Sequence, residues 1–174
     1  MADKWKGDEL ESPVTRETAA EYRAFPASAE PDGIDHGLAV LRDFGVKTST
    51  KIKGALPRLR EALKVGVPRT AFDRLRDDLG VSSEELAEVL RIPMRTLARR
   101  TERFKPDESE RILRVGSVFQ NAIAVLVEKG AAARWMTHPK KALSGITPLR
   151  CCDTEFGARE VDKLLVRIAH GVFS

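Results

Sequence analysis

Aromatic residues make up only 6% of the 174 residues, histidine occurs three times and cysteine twice. So few aromatics beside 42% apolar residues, with alanine, leucine, arginine and glutamate prominent, argue against a sandwich or barrel and for an all-α fold. The cysteines, Cys151 and Cys152, are adjacent. That gives neither the C-x-x-C spacing of a zinc or redox site nor a disulfide framework, so they read as small hydrophobes and no metal or cofactor is expected. No run approaches the ~18 consecutive apolar residues of a membrane helix. The opening MADKWKGDEL has no apolar segment after its first lysine and is no secretory signal. A cytoplasmic protein without a membrane partner is the expectation. Catalysis would need a nucleophile or an acid–base pair, and three separated histidines without a glycine-rich phosphate loop offer neither. No catalytic residue is assigned and no enzyme is expected.

Charge is unevenly spread behind a formal balance of +4. Residues 1–45 carry 5 Lys+Arg against 10 Asp+Glu, residues 46–116 carry 17 against 11, and residues 117–174 carry 8 against 5. An acidic arm therefore precedes a basic middle that suits nucleic acid, although an evenly solvated helical surface would give a similar count. The arm, residues 1–45, should be partly flexible, with at most one short helix, around residues 15–24. DHGLAVLRDFGV could be strand or helix, and TSTKIKGALPRLREALKVG sets Ile52, Leu56, Leu59 and Leu63 at helical spacing with Pro57 limiting the helix.

From Pro68 onward the periodicity sharpens. PRTAFDRLRDDLG puts Phe72, Leu75 and Leu79 on one face and closes on Gly80. SSEELAEVLR opens with Ser82 and Glu85 at capping-box spacing, and Leu86, Val89 and Leu90 form its stripe. Ile92 and Pro93 leave room only for a tight turn before MRTLARRTERF, so the three helices make a helix-turn-helix candidate. At about 100° per residue Leu97, Thr101 and Phe104 share one arc, opposite Arg95, Thr96, Arg99, Arg100 and Arg103. Those five, with Arg91 before them, are the candidate DNA contacts, because arginine forks onto phosphates and onto guanine. A solvated face with snorkelling stems is the alternative.

A long helix follows, with Pro106 near N1, Asp107 and Glu108 in the first turn, and an apolar surface running from Ile112 to Val127 that is wide enough to pack on both sides. A shorter helix, Ala131 to Met136, halts before His138 and Pro139, and SGITPL reads as an exposed turn. Asp153 or Thr154 caps a last helix whose stripe is Phe156, Val161, Leu164, Leu165, Ile168 and Val172, with Gly171 as its stop. Val172 and Phe173 would each gain on the order of 1.5–3 kcal/mol by leaving water, so the tail either folds back or docks elsewhere.

These residues carry a resemblance. Trp135 and Pro139, then Ala142, Leu143, Gly145, Pro148 and Leu149, then Asp153, Thr154 and Gly157, then RIAHGVF at Arg167 to Phe173, stand in an order that resembles the Xre/MbcA/ParS family of antitoxins, over roughly residues 66–174. Family members often carry an aspartate and leucines where this chain has Arg150, Cys151 and Cys152. The resemblance implies an Xre-like helix-turn-helix and dimerisation domain at residues 46–127 and a small helical toxin-binding domain at residues 128–174. It implies a RES-domain toxin that consumes NAD or transfers ADP-ribose, an antitoxin homodimer within the complex, and operator DNA as a second partner. The toxin contacts it implies are Pro148, Leu149, Arg150, Asp153, Arg167, His170, Gly171, Val172, Phe173 and Ser174, with the last three at the toxin's nucleotide pocket. A helix-turn-helix regulator without a toxin partner is the alternative.

Overall fold

The computed structural model describes residues 33–171. Among them the fold is all helix and turn: α1 (Gly33–Asp43), α2 (Ala55–Val65), α3 (Arg69–Leu79), α4 (Ser83–Val89), α5 (Met94–Arg99), α6 (Pro106–Leu126), α7 (Lys129–Thr137), α8 (Pro148–Cys151) and α9 (Glu155–Ala169). The helix expected around residues 15–24 and the tail residues Val172, Phe173 and Ser174 lie outside the described residues.

The 21-residue α6 is the axis of the core, about 32 Å long. Ile112, Val115, Val118, Phe119 and Ala122 are buried along it, and α1, α2, α3, α7 and α9 pack around it, which is the two-sided packing its wide apolar surface predicts. Val127 is an exception to that stripe. It lies past the helix end and is exposed. The segment expected as strand or helix forms α1, which buries Val40 and Leu41, and Phe44 just past its end is buried too. The acidic stretch 1–45 thus contains, at its end, a helix seated in the core.

α3 and α4 follow from the sequence as read. Phe72, Leu75 and Leu79 are buried on α3, and Gly80 closes it in the left-handed conformation. The Ser82 hydroxyl accepts from the Glu85 amide at 3.0 Å and caps α4. The third helix is shorter than its periodicity predicts. α5 stops at Arg99, Arg100 turns extended, and Thr101 is exposed. Tertiary hydrogen bonds outcompete the helix here. Phe104 donates its amide to the Val67 carbonyl at 3.0 Å, Arg69 donates its own to Glu102 at 2.8 Å, and Pro68 bridges to Arg103. That pairing buries Phe104 beside Phe72, ring centroids 6.0 Å apart. Gly66 permits it, because its φ is +84° and a Cβ there would collide with the Phe104 carbonyl.

In the last third, Thr147 caps α8 and Thr154 caps α9, each hydroxyl accepting from an amide three residues on. Gly157 lets α9 begin against α8, where a Cβ would strike the Cys151 carbonyl. The α9 stripe is Ala158, Val161 and Leu165, with Leu164 and Ile168 half-buried. Phe156, expected in that stripe, is 74% exposed, because at about 100° per residue it lies on the side of α9 opposite Ala158, Val161 and Leu165.

Candidate nucleic-acid and partner-binding surfaces

The expected DNA-contacting set divides in two. Arg95 and Arg99 project from α5 into solvent, with Thr96 half-buried beside them, and neither arginine pairs with a carboxylate among the described residues. Arg100 and Arg103 do not belong to that face, since the helix ends before them. Arg100 forks onto the buried Glu108 at 2.9 and 3.0 Å, and Arg103 donates to the Gly66 carbonyl at 2.7 Å. Burial alone would raise the Glu108 carboxyl, but the Arg100 fork and the Lys105 amide outweigh it and hold the group below the ordinary carboxylate range. Both arginines therefore stabilise the chain reversal after α5. Arg91, at φ +52°, is tied to Asp153 at 2.8 Å.

That last contact joins the two expected sites. Arg91 reaches Asp153, Arg150 reaches Glu88 at 3.4 Å, and Arg114 reaches Glu155 at 3.2 Å and the Asp153 carbonyl at 3.3 Å. α4, α6, α8 and the start of α9 thus meet through complementary charges. Lys129 adds a pair to Asp78 at 2.5 Å, linking α7 to α3.

Of the expected toxin-contacting residues, Pro148 and Leu149 lie in the interior, Leu149 at 0% exposure. They correct the expectation of surface contacts: the proline starts α8 and the leucine anchors it in the core. Arg150, Arg167, His170 and Gly171 are exposed, and Asp153 is half-buried. His170 ends α9, and Gly171, at φ +67°, carries the chain away. Sequence reading missed an outward face on α9. Phe156 and the 52%-exposed Val166 stand there among Arg159, Lys163 and Arg167. The signal was available in the spacing, since Arg159, Lys163 and Arg167 recur every four residues opposite the buried stripe.

The remaining chemistry-bearing groups serve structure. The Cys152 thiol is buried, donates to the Pro148 carbonyl at 3.2 Å, and is pushed up by that burial. His138 contacts the Arg134 carbonyl at 2.7 Å, and His36 the Ser117 carbonyl at 3.1 Å. No group of three His, Cys, Asp or Glu able to hold a metal occurs among the described residues, and no described helix is long and apolar enough to cross a membrane.

Residues 58–116 match the Antitoxin Xre-like helix-turn-helix domain, and residues 121–171 match the Antitoxin Xre/MbcA/ParS C-terminal toxin-binding domain. The chain belongs to the Xre antitoxin family. The charged junction therefore joins a helix-turn-helix domain to a toxin-binding domain. An Antitoxin Xre of Yersinia enterocolitica is 35% identical over 140 residues, covering 78% of this chain and 91% of the relative. Another from Photorhabdus laumondii is 34% identical over 122 residues, 68% and 82% of the two chains. A third, from Pseudomonas putida, is 42% identical over 83 residues, and that match spans about half of its length, 52%.

Proposed function

We propose that this antitoxin neutralises a RES-domain toxin, one that consumes NAD or transfers ADP-ribose, by covering the entrance to its active site, and that α5 binds operator DNA to repress the pair's own operon. The observation that carries the toxin reading is the outward face of α9. It leaves Phe156 and Val166 in water within the toxin-binding domain, although α9 has a complete buried stripe on its other side. Arg167 and His170 extend that face toward Gly171, and Val172, Phe173 and Ser174 are given the role of reaching the nucleotide pocket, a concave and partly cationic site. Arg150 and Asp153 lie in the same domain. The DNA reading is supported by Arg95 and Arg99, exposed on the helix that follows the tight turn. A homodimer would present two such helices to a two-fold operator.

The test is growth of cells that express the adjacent RES-domain protein together with either the full chain or a chain ending at His170. Rescue by the full chain, lost on removing Gly171–Ser174 while the shortened protein keeps its helical circular dichroism, is the expected result. Rescue by both would place inhibition on the α9 face and remove the tail's role. Rescue by neither would favour a regulator without this toxin.

A further inference from the structure

We infer that the nucleic-acid surface continues from α5 onto α2 and the loop before it, where a strip of cations takes the phosphate backbone of duplex DNA flanking the segment that α5 reads. The inference rests on the DNA reading above and extends it to residues that reading does not use.

Between Val46 and Val65 the sequence has six cations, Lys47, Lys51, Lys53, Arg58, Arg60 and Lys64, against one acid, Glu61. None of the six pairs with a carboxylate among the described residues, whereas Arg69, Arg76, Arg91 and Arg100 further along the chain do. The loop is held to the helix, because the Arg58 guanidinium donates to the Thr48 hydroxyl at 3.1 Å. Arg60 and Lys64 are one turn apart on α2 and both exposed.

The far end of α2 is joined to the end of α5. Gly66 receives the Arg103 guanidinium at 2.7 Å, Val67 receives the Phe104 amide at 3.0 Å, and Arg69 donates to the Leu97 carbonyl at 2.8 Å. Exposed cations therefore run from Arg95 and Arg99 past Arg103 and Lys105 to Lys64 and Arg60. The 11 residues of α2 lengthen the surface by about 16 Å. Like charges within a Debye length of about 10 Å of one another repel, and a polyanion relieves such repulsion while releasing its own counterions. Residues 46–65 contain no aromatic side chain on which an unpaired base could stack, so duplex backbone fits better than a single strand. Contacts of this kind set register and affinity, and α5 supplies the sequence reading.

The experiment is fluorescence anisotropy of the full chain with a labelled duplex of about 40 base pairs from directly upstream of its own gene, long enough for two half-sites and flanks. It is titrated at salt between about 50 and 200 mM. The Arg60→Ala/Lys64→Ala variant should bind roughly tenfold more weakly at intermediate salt, with a salt slope shallower by about 1 to 2, while Arg60→Lys/Lys64→Arg restores both. Unchanged affinity and slope in the alanine variant, with binding lost in Arg95→Ala/Arg99→Ala, would overturn the strip and leave the α5 reading intact. Failure of the wild-type chain to bind the duplex at low salt would remove both. Loss of toxin neutralisation in the alanine variant with DNA binding unchanged would assign the strip to a protein partner and also overturn it.

Discussion

The two halves of this antitoxin use their cations differently. Among the described residues, seven of the ten lysines and arginines after residue 105 pair with a carboxylate, whereas between residues 46 and 105 four of fifteen do. Paired cations tie elements together: α6 to α9, α8 to α4, α7 to α3. Cations without a carboxylate partner either hold a neutral group, as Arg103 holds the Gly66 carbonyl, or stand in solvent, as Arg95 and Arg99 do. Net charge alone would not separate the two uses, because the placement of acids and of backbone carbonyls decides which arginines are structural. Arg99 and Arg100 are neighbours in sequence, yet one points into solvent and the other into a buried carboxylate.

The largest effect should come from the interior of the toxin-binding domain. Leu149→Ala should cost about 3 kcal/mol through the cavity it leaves, a fall of roughly 6–12 °C in Tm. Arg150→Ala, one residue on and exposed, should stay within about 0.5 kcal/mol. Thermal denaturation of the two variants side by side separates core from surface within one motif, and equal losses would put Leu149 and Arg150 on the same footing.

Next comes Glu108→Gln, which leaves Arg100 without its counter-charge and should cost on the order of 2–3 kcal/mol near neutral pH. The Glu108 carboxyl is held below its ordinary value near 4.5 in the fold, so its contribution is present in full above that value and is lost as pH falls through the folded pKa. Urea unfolding of wild type and variant should therefore show a gap at pH 7 that narrows below about pH 4.5. A gap that persists or widens in acid would contradict the ionised pair.

The smallest effect belongs to the junction. Arg91 is exposed and the Asp153 side chain still reaches solvent, so a double-mutant cycle on Arg91→Ala and Asp153→Ala should return under about 1 kcal/mol of coupling at low salt and less at high salt. A larger, salt-insensitive value would mean that the two domains are locked by this contact rather than aligned by it.

Much of the fold was legible in the sequence because local signals agreed with burial. Ser82, Thr154 and Gly80 mark helix ends, and the stripes of α3, α4 and α6 face the core as their periods require. What escaped was set by contacts distant in sequence. Nothing local in MRTLARRTERF announces that Phe104 pairs with Val67, so the helix read too long and Arg100 and Arg103 were placed on its face. Pro148 and Leu149 stand in a motif that carries the family resemblance, but motif residues can hold a domain in shape as readily as touch a partner. Phe156 is the reverse case, because its local spacing from Ala158, Val161 and Leu165 already puts it opposite the buried stripe of α9.

The separation of the two surfaces is tested most directly with one variant and two readouts. Arg95→Ala/Arg99→Ala should lose retention of the upstream duplex while rescuing cells from the toxin proposed as its partner as well as wild type does, with its unfolding midpoint unchanged. Retained DNA binding, or rescue lost together with DNA binding in a protein that is still folded, would contradict the assignment of α5 to DNA and of the C-terminal domain to the toxin.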